Sequence, residues 1–159
     1  MPIPKSKRPN TVVDEAVRLC KYGFWVVPQS GKSAIVLGWP ELRLSEEDLK
    51  GYLSSGNLNI AINLNKSEYM DVETDTPEAE ELVRSLLNGG VHTPSWRSLR
   101  GVHRLFKRPP GLPNRAKISI KGIDFIIGNR PALTTIPPST GREWVDPDFT
   151  LPHATPARS

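Results

Sequence analysis

The feature that most constrains this chain's fold is a run of six short segments in its second half: "SWRSL", "VHRLF", "KISI", "IDFII", "ALTTI" and "REW". Most are rich in β-branched or aromatic residues, and each is parted from the next by Gly or Pro. None is long enough to show the 3.6-residue period of a helix. They predict short, mostly antiparallel strands.

The first half alternates between the two periodicities. Val12, Val13, Ala16, Val17 and Cys20 share one helical stripe, so residues 10–22 read as an amphipathic helix that Gly23 ends. "FWVVP" reads as a buried strand closed by Pro28, and "AIVL" as its hairpin partner after "SGK". "LSEEDLKGYL" is a helix capped by Ser45, with acids in its first turn. "NLNIAINL" and "SEYMDVE" read as strands around a turn at Asn65–Ser67. A second well-marked helix follows, with Thr76 as cap and Pro77 at its first position. Ala79, Leu82, Val83, Leu86 and Leu87 form its buried stripe, and Gly89–Gly90 stops it. The order predicts an α+β fold with helices packed on a largely antiparallel sheet.

At 159 residues the chain suits one domain, taken as residues 1–150, with 1–9 a loose basic arm and 151–159 a Pro-containing tail or linker. A single cysteine, Cys20, excludes a disulfide framework or a cysteine-based zinc site and suits a reducing cytoplasm. No apolar run approaches the ~18 residues of a membrane span, so no membrane partner is expected. The formal net charge of +4 favours a polyanionic partner.

The charge is unevenly placed. "EYMDVETDTPEAEEL", residues 68–82, holds seven carboxylates and no Lys or Arg, whereas residues 97–121 hold eight Lys or Arg and no acid. The acids from Asp75 onward suit a helix N-terminus. Asp71 and Glu73 precede it, in a strand, and period two sets both on one face with Met70 and Val72 turned to the core. Adjacent carboxylates repel unless a cation or donors intervene, and hard divalent ions take carboxylate oxygens. Asp124 leaves the opposite face from Ile123, Phe125 and Ile127 in its own strand. If that strand neighbours the first, three carboxylates converge in a set able to hold two metals. His103 lies among Arg97, Arg100 and Arg104. Such groups beside a carboxylate–metal cluster suit a triphosphate.

The segments "MDVE", "RSLRGVH", "GIDFIIG" and "IPPSTGREW", in this order and with "GFWVVPQSGKSAIVLGW" before them, resemble the bifunctional DNA primase/polymerase (prim-pol) family of the archaeo-eukaryotic primase superfamily. The likeness runs from about Ala16 to Trp144. It implies a catalytic core with an RNA-recognition-motif-like (RRM-like) sheet joined to an N-terminal α/β part. It implies that Asp71, Glu73 and Asp124 ligate two divalent ions, Mg2+ or Mn2+, and that His103 contacts the incoming nucleotide's phosphates. Lys32, Arg100 and Ser139 complete the expected nucleotide site. The family's second motif often reads Ser-x-His. Here its first position is Gly101, and Ser98 is not expected to replace it without a different backbone path. The cysteine-rich zinc element that several prim-pols carry is absent from this sequence.

The function so implied is template-dependent nucleotidyl transfer in DNA replication, as in a phage or plasmid. The partners are DNA template and primer, nucleoside triphosphates, and a helicase domain or subunit. The basic segment 97–121 would hold nucleic acid, with salt-sensitive binding. Two other readings share these residues. One is a non-catalytic replication-origin or single-stranded-DNA-binding module using Trp25, Trp39, Trp96 and Trp144 as stacking platforms. The other is a metal-dependent nuclease.

Overall fold

The structure is a computed structural model that describes residues 11–87 and 92–149. The expected basic arm, the Gly89–Gly90 stop and the tail 151–159 lie outside the described residues. The first half supplies α1 (Val12–Lys21), β1 (Val26–Ser30), β2 (Ser33–Ala34), α2 (Glu46–Leu53), β3 (Asn59–Asn63), the one-turn α3 (Leu64–Ser67) and β4 (Tyr69–Thr74). The second half supplies α4 (Pro77–Leu86), β5 (Ser95–Arg97), β6 (Val102–Lys107), β7 (Ile118–Ile120), β8 (Ile123–Ile126), β9 (Leu133–Thr135) and β10 (Glu143–Asp146). The fold is α+β, as the two periodicities predict.

The helix starts follow from their caps. Thr11, Ser45 and Thr76 each accept a hydrogen bond from the third helical N–H, and Ser45 with Asp48 completes a reciprocal capping box. Three expectations need correction. Leu82 and Leu86 are exposed, so the buried stripe of α4 narrows to Ala79 and Val83 with Leu87 packed beside them. Pro28 does not close β1, which runs on to Ser30, because Pro28 pairs with Ile60 while its own carbonyl accepts from Ile35. The "AIVL" strand is reduced to Ser33–Ala34, and the chain then turns into a short 3-10 segment at Trp39–Glu41.

The strands form two antiparallel sheets, not one. A four-stranded sheet has the order β2-β1-β3-β9, and a six-stranded sheet the order β10-β5-β6-β4-β8-β7. β4 lies inside the larger sheet, between β6 and β8. Met70, Val72, Phe106 and Ile123 on one face meet Ala79 and Val83 of α4 in a small core. The other face gives Trp96 and Leu105 to the main core, beneath α1, α2 and the four-stranded sheet.

Two polar clamps fix this arrangement. On the α4 side, Arg104 grips Glu80 through two parallel hydrogen bonds of 2.7 Å, while Thr74 donates to Glu80 at 2.9 Å. Where the sheets meet, the Arg108 guanidinium donates to the carbonyls of Leu64, Asn65, Tyr69, Ile127 and Gly128. Both arginines belong to the basic block, but their charge is consumed inside the protein. Among the described residues no helix is long and apolar enough to cross a membrane.

Candidate active site

Register decides what shares a face with Asp71 and Glu73. Glu73 pairs with His103 on one side and with Asp124 on the other. His103 pairs in turn with Trp96, Trp96 with Trp144, and Asp124 with Ser119. One row therefore crosses all six strands: Trp144, Trp96, His103, Glu73, Asp124, Ser119. The expected neighbour relation between the two carboxylate-bearing strands holds.

His103 is the centre of the row. Its Nδ1–H donates to Asp71 Oδ2 at 2.7 Å, and its Nε2 lies 3.2 Å from Ser98 Oγ and 3.4 Å from Glu73 Oε2. The ring stacks on Trp96, with planes 2° apart and centroids 4.9 Å apart. Burial, the largest influence, pulls the His103 pKa down, but the Asp71 charge and hydrogen bond together with Glu73 outweigh it, and the net shift is upward. Glu73 is also shifted upward. Burial is the main cause and the neighbouring carboxylates add to it, against the opposing pull of His103.

Asp71 is wholly buried. Its Oδ2 also accepts from Thr134 Oγ1 at 2.7 Å, which ties β9 of the smaller sheet to β4 of the larger. Its Oδ1 is buried with no hydrogen-bond partner. A buried anionic oxygen without a donor is costly, and a hard divalent cation would relieve it. Of the two carboxylates, it is Asp71 whose unpartnered oxygen suits such an ion. Asp124 faces the same side of the sheet, but its carboxylate is engaged by other partners. It accepts from Ser119 Oγ at 2.5 Å and pairs with Lys117 Nζ at 3.2 Å. Burial raises its pKa, Ser119 and Lys117 lower it more, and the carboxyl ends below its usual range. Among the described residues no three His, Cys, Asp or Glu side chains stand together as a metal-holding group. His103 bridges Asp71 and Glu73, and Lys117 pairs with Asp124.

Glu73 and His103 open onto a cavity of about 290 Å³, lined also by Lys32, Ser98, Leu99, Arg100 and Arg142. Lys32 arrives from the β1–β2 turn. That turn is tied down by buried Gln29, whose Nε2 donates to the Lys32 carbonyl at 2.9 Å and whose Oε1 accepts from Thr135. Arg100 is exposed and pairs with Asp75 at 2.9 Å. Three of the expected nucleotide-site residues thus share one cavity.

Ser139 is not among the residues lining it. Its buried hydroxyl accepts from the Ile60 N–H at 2.9 Å and donates to the Ile60 carbonyl. Arg104, expected near His103, is on the opposite face and bound to Glu80. Two of the four tryptophans are poor platforms: Trp96 is fully buried and Trp144 donates to Glu15.

Two residues come to the site without having been singled out for it, and a third, Ser98, comes against expectation. Arg142 enters from the loop before β10, in the quoted "IPPSTGREW". Thr134 comes from "ALTTI", where alternation sends one Thr to each side. Ser98 reaches Nε2 of His103 across a turn closed by its own N–H to the Gly101 carbonyl, 2.9 Å. That turn is a backbone path that brings the Ser98 hydroxyl, from five residues before it, to the histidine. Gly101 is obligatory there, since a Cβ would lie 2.8 Å from the Thr74 carbonyl carbon and closer still to its oxygen.

No curated protein matches the sequence. Residues 2–158 match the family described as bifunctional DNA primase/polymerase, N-terminal, designated Prim-Pol. With nearly the whole chain covered, the protein belongs to the bifunctional DNA primase/polymerase N-terminal family.

Proposed function

We propose that this protein is a template-dependent nucleotidyltransferase, a DNA primase or DNA polymerase that joins nucleoside triphosphates to a 3′-hydroxyl. The observation that carries the reading is the row His103–Glu73–Asp124 beside a cavity lined by Lys32, Arg100 and Arg142. Carboxylates with cations at this spacing suit a polyphosphate and a reacting phosphorus between them. The six-stranded sheet with α4 behind it is taken as the RRM-like core. Both sheets supply residues to the cavity, which supports one catalytic unit over residues 1–150.

In this reading the 3′-hydroxyl attacks the α-phosphate and pyrophosphate leaves. Lys32, Arg100 and Arg142 bind the polyphosphate. His103 presents its Nε2 edge to a phosphate oxygen, and Asp71, Ser98 and Trp96 fix the ring's orientation. Asp71, Glu73 and Asp124 would hold Mg2+ or Mn2+, which when bound lowers the pKa of the attacking hydroxyl and neutralises charge on the triphosphate. Asp124 must release Lys117 to join them. Ser139 serves the site indirectly, by anchoring the loop that leads to Arg142.

The test is primer extension beside de novo priming, each with magnesium and with manganese. Wild type should incorporate nucleotide in at least one format, and Asp71→Asn or Glu73→Gln should abolish it while template binding persists. The competing reading, a non-catalytic DNA-binding module, is favoured by the Lys117–Asp124 pair. No incorporation by wild type with intact template binding would establish it. Manganese-dependent degradation of single-stranded DNA, lost in Asp124→Ala, would make the protein a nuclease instead.

A further inference from the structure

Leu99 stands at the mouth of the cavity and is 93% exposed. So exposed a side chain buries little apolar surface for stability. The turn that carries it is braced by other groups: Ser98 against His103, Arg100 against Asp75, and Gly101 against the Thr74 backbone. The bare Gly141 faces it, where an added Cβ would meet Leu99 Cγ at 3.5 Å. The leucine and the glycine backbone form an apolar lip between the cationic residues Arg100 and Arg142.

The cavity's size assigns that lip a purpose. About 290 Å³ is at the floor of the ~300–1,000 Å³ range for sites that enclose a drug-sized ligand. In the triphosphate reading, a polyphosphate drawn to Lys32, Arg100 and Arg142 would take up this space and leave the sugar and base at the opening. We propose that Leu99 is a nucleoside subsite: the nucleoside part of the bound triphosphate rests on the Leu99 side chain, over Gly141. This rests on the cavity being a triphosphate site. Leu99 is a binding residue, insensitive to the identity of the base because its contact is apolar and non-directional.

The experiment is calorimetric titration of the full chain with ATP and, separately, with inorganic tripolyphosphate, both with magnesium chloride. Wild type, Leu99→Ala and Leu37→Ala are compared. Leu37 is an equally bare leucine, 98% exposed, that does not line the cavity. Leu99→Ala should weaken ATP about tenfold, from the apolar area left wet, and leave tripolyphosphate unchanged, with Leu37→Ala neutral for both. Unchanged ATP affinity in Leu99→Ala, while wild type binds both ligands, overturns the subsite alone. Equal weakening of both ligands also overturns it, since the turn would then act through the cations. A wild type that binds neither ligand sinks the triphosphate reading of the cavity and the subsite with it.

Discussion

Gly101 offers the sharpest test of how the fold builds the site. The family pattern invites Gly101→Ser, which would restore Ser-x-His. The structure predicts damage instead. A Cβ at this position would lie 2.8 Å from the Thr74 carbonyl carbon, closer to its oxygen, and 3.1 Å from Asp75 Oδ1. Carbon–carbon contact is favourable at ~3.5–4 Å, so the two backbones must part by roughly 0.7 Å or more. The obstacle is backbone, not the end of a flexible side chain. The parting falls where Thr74 pairs with Val102, one residue from the Glu73–His103 pair. Overpacking of this kind costs about 1–3 kcal/mol, which for a domain of this size lowers the melting temperature by roughly 3–10 °C. Misplacing reacting groups by an ångström can cost ~100-fold in rate, so incorporation should fall further than stability does. Circular-dichroism melting and primer extension on Gly101→Ala and Gly101→Ser measure the two losses. A Gly101→Ala protein that melts within about 1 °C of wild type and extends primers normally would refute the reasoning.

The Arg104 hydrogen bonds, against the opposing effect of burial, hold Glu80 at a pKa of about 2, down from 4.5. A depressed carboxyl contributes stability above its unfolded pKa and loses it as pH falls through the folded one. The advantage of wild type over Glu80→Gln in urea midpoint should therefore shrink between pH 4.5 and about 2, by an effect of roughly 1–2 kcal/mol after discounting solvent screening. Arg108→Met strands several carbonyls where the sheets meet, and should cost about 3 kcal/mol in denaturant unfolding, with Arg108→Lys recovering only part because an ammonium cannot span them. Gln29→Leu frees the Lys32 turn, and steady-state kinetics should show the nucleotide KM rising roughly three- to tenfold with little change in kcat.

Strand alternation made much of this legible. Period two assigns Asp71 and Glu73 to one face and Met70 and Val72 to the other, and the same rule separates Asp124 from Ile123 and Phe125. Applied as strictly to "VHRLF", it also sends Arg104 away from His103, where charge proximity in the sequence suggested otherwise. Period two cannot give register. Which residue meets Glu73 is set by pairing between segments about thirty and fifty residues away, and only that pairing puts His103 on one side of it and Asp124 on the other. Loops are harder still, because Arg142 and Ser98 sit where no period operates, and their approach depends on the turns at Gly141 and Gly101. The division of the basic block has the same origin. Its eight cations look alike in sequence, yet Arg104 and Arg108 are spent on the fold, Lys117 guards Asp124, and Arg100 faces the cavity. If the basic block holds DNA, the contacts fall to exposed residues such as Arg97, Lys107, Arg115 and Lys121. Their individual removal should flatten the salt dependence of template binding by about one unit of slope each, whereas removing Arg104 or Arg108 should change stability first.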